Sequence, residues 1–111
     1  GRFDACFTSC TFHIMAWETC EAAIAHLGRT VLSEAPGSFV AIYGPLNYNG
    51  KFTSESNEKF DRWLRESVRG GACIKGFEAM RDAAAAAGLA VLDDLEMPEN
   101  NRLLVLGRPR G

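Results

Sequence analysis

No stretch of this chain approaches the roughly 18 consecutive apolar residues of a membrane-spanning helix. Its first residues also lack the basic-then-apolar layout of a secretory leader. A cytoplasmic location is therefore expected, and a membrane partner is not. A basic excess is missing as well: twelve Lys and Arg stand against fourteen Asp and Glu, a formal charge of −2, and the cations are scattered along the chain. Generic nucleic-acid binding, which needs a concentrated positive surface, gets no support. Cysteine is sparse. Cys6, Cys10, Cys20 and Cys73 match neither a Cys-x-x-Cys zinc knuckle nor a secreted disulfide framework, so free thiols in a reducing compartment are expected. Glycine is common but dispersed, and Gly70-Gly71 is not a Gly-rich cofactor turn of the G-x-G-x-x-G kind. Internal repeats and low-complexity linkers are absent.

What is present suffices for one domain. A 47% hydrophobic content in 111 residues can fill a modest core, and no linker divides 1–111. Phe3 to Thr8 reads as a short buried strand. From Trp17 the apolar residues Trp17, Cys20, Ile24, Leu27 and Val31 recur at helical spacing, and Pro36-Gly37 is expected to end that helix. Ser38 to Tyr43 reads as a second strand, continuous enough in its apolar character for a sheet covered on both faces. Ser54 or Ser56 can cap a helix with Glu55 and Glu58 in its first turn and an apolar face of Phe60, Trp63, Leu64 and Val68, stopped by Gly70-Gly71. A third helix carries Phe77, Met80, Ala84 and Ala87, includes five consecutive alanines that call for close packing, and ends at Gly88. Leu89 to Leu95 and Arg102 to Leu106 read as strands. The segment between them is too short for a helical crossover, so they should pair as an antiparallel hairpin.

The order strand, helix, strand, helix, helix, strand, strand implies an α/β layered sheet, parallel except for its last strand. Ligands of such sheets bind outside the carboxyl ends of the parallel strands. Three segments should meet there: Ser9 to Trp17, Gly44 to Asn57, and Glu96 to Asn101. The second is longer than a strand-to-helix connection needs to be.

Three runs then carry a resemblance: FDACFTSCTFHIMAWETCEAAI, YGPLNYNGKFTSESNEKFDRWLRES and EMPENNRLLVLGRP. In this order they resemble the C-terminal half of a family of small S-adenosylmethionine-dependent methyltransferase-like proteins. That family comprises the methyltransferase-like 26 proteins and bacterial relatives catalogued as a domain of unknown function. The likeness covers essentially the whole chain. It implies a Rossmann-like class I methyltransferase sheet whose final antiparallel strand lies between two parallel neighbours. It also implies S-adenosylmethionine as cofactor and an unidentified methyl acceptor. The Gly-rich turn and the acidic residue that bind the cofactor in that fold have no counterpart in this sequence. The chain therefore resembles a partial domain without the N-terminal cofactor-binding half: a designed piece, a proteolytic remnant or a truncated reading frame.

The resemblance assigns Ser9, Cys10 and Thr11, with His13 beyond them, to the cofactor and acceptor side. The family pattern favours Asn where Cys10 stands and Ser-Pro where Met15-Ala16 stand. His13 is the one rim residue with a pKa suited to a general base, although a hydrogen-bonded rim or core histidine is the plainer reading. His26, inside a helix, reads as structural. Trp17 could stack on an acceptor or simply pack in the core. Tyr43, Asn47, Tyr48 and Lys51 are candidates for acceptor recognition, against a loop in which Asn47, Asn49 and Gly50 only make turns. Asn57 fits a helix cap, and Asn100 and Asn101 fit hairpin formers; their shared rim position also fits an acceptor site. Cys10 with His13 lacks the third group of a thiol enzyme, and Cys6, Cys10 and His13 lack a fourth zinc ligand, so no metal is expected. A second functional class also fits: an association module that pairs with a second copy through the open edge of the first strand.

Overall fold

Side chains on alternate strand positions decide how the layers stack. The computed structural model describes residues 2–9 and 11–109, so Cys10 lies outside the described residues. In chain order its strands are β1 (Ala5–Ser9), β2 (Phe39–Gly44), β3 (Leu46–Asn47), β4 (Lys75–Gly76), β5 (Ala90–Met97) and β6 (Asn101–Gly107); its helices are α1 (Trp17–His26), α2 (Glu55–Trp63) and α3 (Phe77–Ala86). The main sheet runs β1-β2-β6-β5. β1 pairs parallel with β2, and β6 lies antiparallel between β2 and β5, the arrangement that the resemblance implies. A two-stranded parallel ribbon, β3 with β4, is an addition that periodicity does not signal, because two-residue strands leave no repeat to read.

The register aligns Cys6, Val40, Leu106 and Val91 in one row and Ile42 with Leu104 in the next. α1 and α3 cover this face with Cys20, Ile24, Met80 and Ala84, and these residues form the main core. The opposite face is largely uncovered among the described residues, although Ala41 at its centre is buried, whereas cover on both sides is expected. Phe7 is 67% exposed on β1, and Leu92 and Leu95 are exposed on β5 at the other edge of the sheet. β1 is correspondingly not the buried strand expected: its side chains alternate between exposed and half-buried, because among the described residues it pairs only with β2 and nothing covers its outer face.

Two helices end differently from their sequence signals. α1 continues through a wide turn, 27–31, closed by Leu32 N donating to Leu27 O at 2.8 Å. It stops there, before Pro36-Gly37, because Leu32 turns extended to bridge Phe3. α2 begins at its Ser54 cap, whose Oγ accepts from Asn57 N at 3.1 Å. Only Leu64 of its expected apolar face is fully buried, with Phe60 against it; Trp63 is 53% exposed and Val68 is exposed too. The buried side of α2 is instead polar, with Asn57 and Asp61. Asp61 Oδ1 accepts from Ile74 N at 2.8 Å, and its Oδ2 accepts from Arg65 Nε at 2.7 Å. That replaces apolar packing by hydrogen bonds to the β4 segment.

α3 buries Met80, Ala83 and Ala84 as its pattern requires, and Gly88 follows with φ 79°. The alanine run allows a close approach to the extension of α1: a Cβ at Gly28 would lie 2.6 Å from Ala87 O. Arg108 buckles the lower end of the sheet. Its guanidinium donates to the carbonyls of Ser33 (3.2 Å), Gly88 (3.1 Å) and Gly28.

Candidate functional site

At the rim above β1 and β2, three segments close on a cleft of about 570 Å³ lined by His13, Pro45, Phe60, Asn57, Asn100 and Asn101, with Ser56 and Glu99 at its border. They are the three segments that the strand order brings together. His13 sits in a single 3₁₀ turn, Phe12–Ile14, where the chain leaves β1. It is 8% exposed, and its ring meets Phe60 edge-on, with centroids 5.2 Å apart. Among the described residues neither ring nitrogen has a hydrogen-bond partner, and neither is a fully buried orphan, so solvent in the cleft reaches the ring. Burial, and after it the positive charge of Lys75, hold its pKa below the usual 6.5. The imidazole is therefore neutral at pH 7 and free to accept a proton.

The asparagines stitch the rim. Asn57 Nδ2 donates to Thr53 Oγ1 (2.9 Å) and to Asn100 O (3.2 Å), tying α2 to the hairpin turn. Asn100 Nδ2 donates to Ser56 Oγ at 3.3 Å, and Asn101 Nδ2 to Pro98 O at 3.2 Å and Tyr43 Oη at 3.4 Å. Glu99 and Asn100 both have φ 61°, a left-handed backbone that turns the hairpin tip toward the cleft.

The remaining expected residues lie elsewhere. Trp17 is half-buried against the core and lines a separate hollow between α1 and α3. Lys51 is exposed and closes a tight turn, Tyr48 N to Lys51 O at 3.1 Å, around Asn49 (φ 53°) and Gly50 (φ 75°). Asn47 lies in β3, with its Oδ1 buried and unpartnered among the described residues. Tyr48 has a packing duty: it stacks on Phe77 at 5.4 Å, and its hydroxyl donates to Asp94 Oδ2 at 2.6 Å, with Arg102 Nε on Asp94 Oδ1 at 3.0 Å. Burial and the Asp94 carboxylate push that phenol's pKa up. Ser9 and Thr11 are exposed at the corner after β1, and the Thr11 hydroxyl is turned back on Ser9 O at 3.1 Å.

Sequence reasoning missed Pro45, Phe60, Glu99 and Lys75. Phe60 and Pro45 read as core and turn; Glu99 carries no signal. Lys75 is the one charge in the otherwise uncharged run 70–77. Among the described residues no group of three or more His, Cys, Asp or Glu could hold a metal, and no helix is long and apolar enough to cross a membrane.

The sheet and its helices have the Rossmann-like fold of class I methyltransferases. An O-methyltransferase family 2 protein from Planctomyces limnophilus, solved in complex with apigenin, superposes with a TM-score of 0.82 at 16% identity; it is matched over 97% of this chain and 31% of its own. An O-methyltransferase family protein from Burkholderia thailandensis gives 0.78 at 19%, over 100% and 32%. LepI in complex with SAM gives 0.74 at 13%, over 95% and 26%. The chain thus spans no more than about a third of the length of these structures. Over residues 1–108 it matches a family model, and it belongs to that family, described as "Protein of unknown function (DUF938)".

Proposed function

We propose that this chain forms the acceptor side of a methyl-transfer site served by S-adenosylmethionine. The observation that carries the reading is the rim cleft, with a buried, neutral His13 in its wall. S-adenosylmethionine, when bound, supplies a methyl group on a positively charged sulfur. Were the acceptor a hydroxyl, its proton would have to leave as the methyl group is taken up. His13 takes that proton, a role worth roughly 10²–10⁴-fold in rate. Phe60 and Pro45 supply an apolar wall that displaces water beside the ring. Asn57, Asn100 and Asn101 hold the acceptor through the amides of the rim network, with Tyr43 behind Asn101, whose amide its hydroxyl accepts. Ser9 and Thr11 fit one wall of a cofactor site and no more, since the Thr11 hydroxyl is already used on Ser9 O; Cys10 joins them on the resemblance alone. The acceptor stays unassigned. Kinship with the methyltransferase-like 26 proteins, and a cytoplasmic setting, belong to the same reading; the kinship rests on the three sequence runs that carry the resemblance.

The test is a calorimetric titration of S-adenosylhomocysteine into the chain. Saturable one-site binding supports the reading. No heat at high micromolar ligand refutes a cofactor site in this chain.

A second reading, association with another copy, has one specific observation behind it. Phe7 and Phe3 are both exposed beside a strand paired on one side only among the described residues. Sedimentation should then find a dimer at micromolar concentration that Phe7→Glu dissolves. A monomer throughout rejects it.

A further inference from the structure

Lys75 is 4% exposed, which is unusual for a lysine and demands a reason. Its Nζ donates to three main-chain carbonyls, those of Met15, Gly71 (3.2 Å) and Cys73 (3.0 Å), and touches Cys73 Sγ at 3.4 Å. Three bonds exhaust the donors of an ammonium. The acceptors come from two segments far apart in sequence: the residue that closes the His13 turn and the strap leading into β4. A second bond runs between the same segments, Cys73 N donating to His13 O at 2.9 Å. The His13 turn is thus held to the strap at its middle residue and at its C-terminal end, and the clamp at Met15 is a cation.

Among the described residues no carboxylate forms an ion pair with Lys75. Burying an ammonium without a counter-charge is costly, and an apolar residue of similar volume often serves a purely structural position as well or better. The charge itself therefore needs an explanation. The other charged groups near His13 are few. Asp61, on α2, is committed to Ile74 N and Arg65, and Glu99 stands exposed at the border of the cleft; the remaining neighbours there, Phe60 and Asn57, are neutral.

We propose that Lys75 is a positioning residue for His13: it clamps the turn that carries the imidazole and sets an unneutralised positive charge behind it. The proposal rests on the reading of His13 as the base of the cleft, but its test does not require an acceptor. A positive charge beside a histidine disfavours the imidazolium, so Lys75 keeps the ring in the form that accepts a proton. The lowered pKa of His13 agrees with that sign.

NMR titration of the His13 ring in the whole chain tests this. In Lys75→Met the midpoint should rise, since the nearby like charge is gone while the burial of the ring stays. In Lys75→Arg, which keeps charge and donors, it should stay low. Where Lys75→Met does not fold, Lys75→Gln keeps a donor without the charge and should also raise the midpoint. Equal shifts in the Arg and the uncharged variants would reduce Lys75 to packing and overturn the proposal. Unchanged midpoints in every folded variant would overturn it as well, as would a wild-type midpoint at or above 6.5. None of these results depends on S-adenosylhomocysteine binding, so failure here and failure of the methyl-transfer reading are told apart.

Discussion

Gly28→Ala should destabilise the protein, and the sign alone tests how closely α1 and α3 approach. Gly28 lies in the helical turn that extends α1, without a positive φ that would demand glycine. At an unobstructed helical site, alanine in place of glycine stabilises by roughly 0.5–1 kcal/mol, because the unfolded chain loses freedom. Here the new Cβ would sit 2.6 Å from Ala87 O and 2.8 Å from Ala87 Cβ. The first partner is main chain at the end of α3 and cannot rotate away, so the helices must part. Overpacking costs about 1–3 kcal/mol, and a main-chain partner that cannot move aside puts this site in the upper half of that range, which leaves a net loss of about 1–2.5 kcal/mol after the helical gain. With a urea m-value of about 2 kcal/mol/M, typical of small domains, the unfolding midpoint should fall by about 0.5–1.25 M. Ala87→Gly in the same chain should recover only part of this, since it removes the Cβ contact and leaves the carbonyl. An unchanged or higher midpoint for Gly28→Ala, read by circular dichroism, would refute the close approach.

Two further outcomes follow from the same contacts. Asp61→Ala removes the acceptor of Ile74 N and should cost about 2–3 kcal/mol, whereas Asp61→Asn, which keeps an acceptor, should cost under about 1 kcal/mol. Equal losses in urea unfolding would show that the hydrogen bond to β4 is not what matters there. The stability of the protein should also depend on His13. Its folded pKa lies below the unfolded 6.5, so its contribution is present above pH 6.5 and is lost as pH falls through the folded value. Between pH 7 and pH 5 the wild type should therefore lose more stability than His13→Asn. Parallel loss in both would contradict a buried neutral imidazole.

The element order was legible in the sequence because it rests on local signals: helical spacing through Cys20, Ile24, Met80 and Ala84, the Ser54 cap, the Gly88 stop, and a hairpin connection too short for a helix. From that order alone the parallel and antiparallel pairings follow, as does the meeting of three loops at one rim. His13 could be nominated from its chemistry and its place after β1. Whether it is buried and neutral depends on Phe60 and Lys75, 47 and 62 residues further along the chain, and no local pattern encodes such distances. The same reason explains the errors. Trp63 fits an apolar helical stripe, yet only the packing of α2 decides that Asn57 and Asp61 face inward while Trp63 faces out. Phe7 fits a buried strand, but burial belongs to whatever covers a surface, and β1 has a neighbour on one side only among the described residues. Periodicity states which side chains share a face; tertiary contact decides which face is covered and which charges end up beside a histidine.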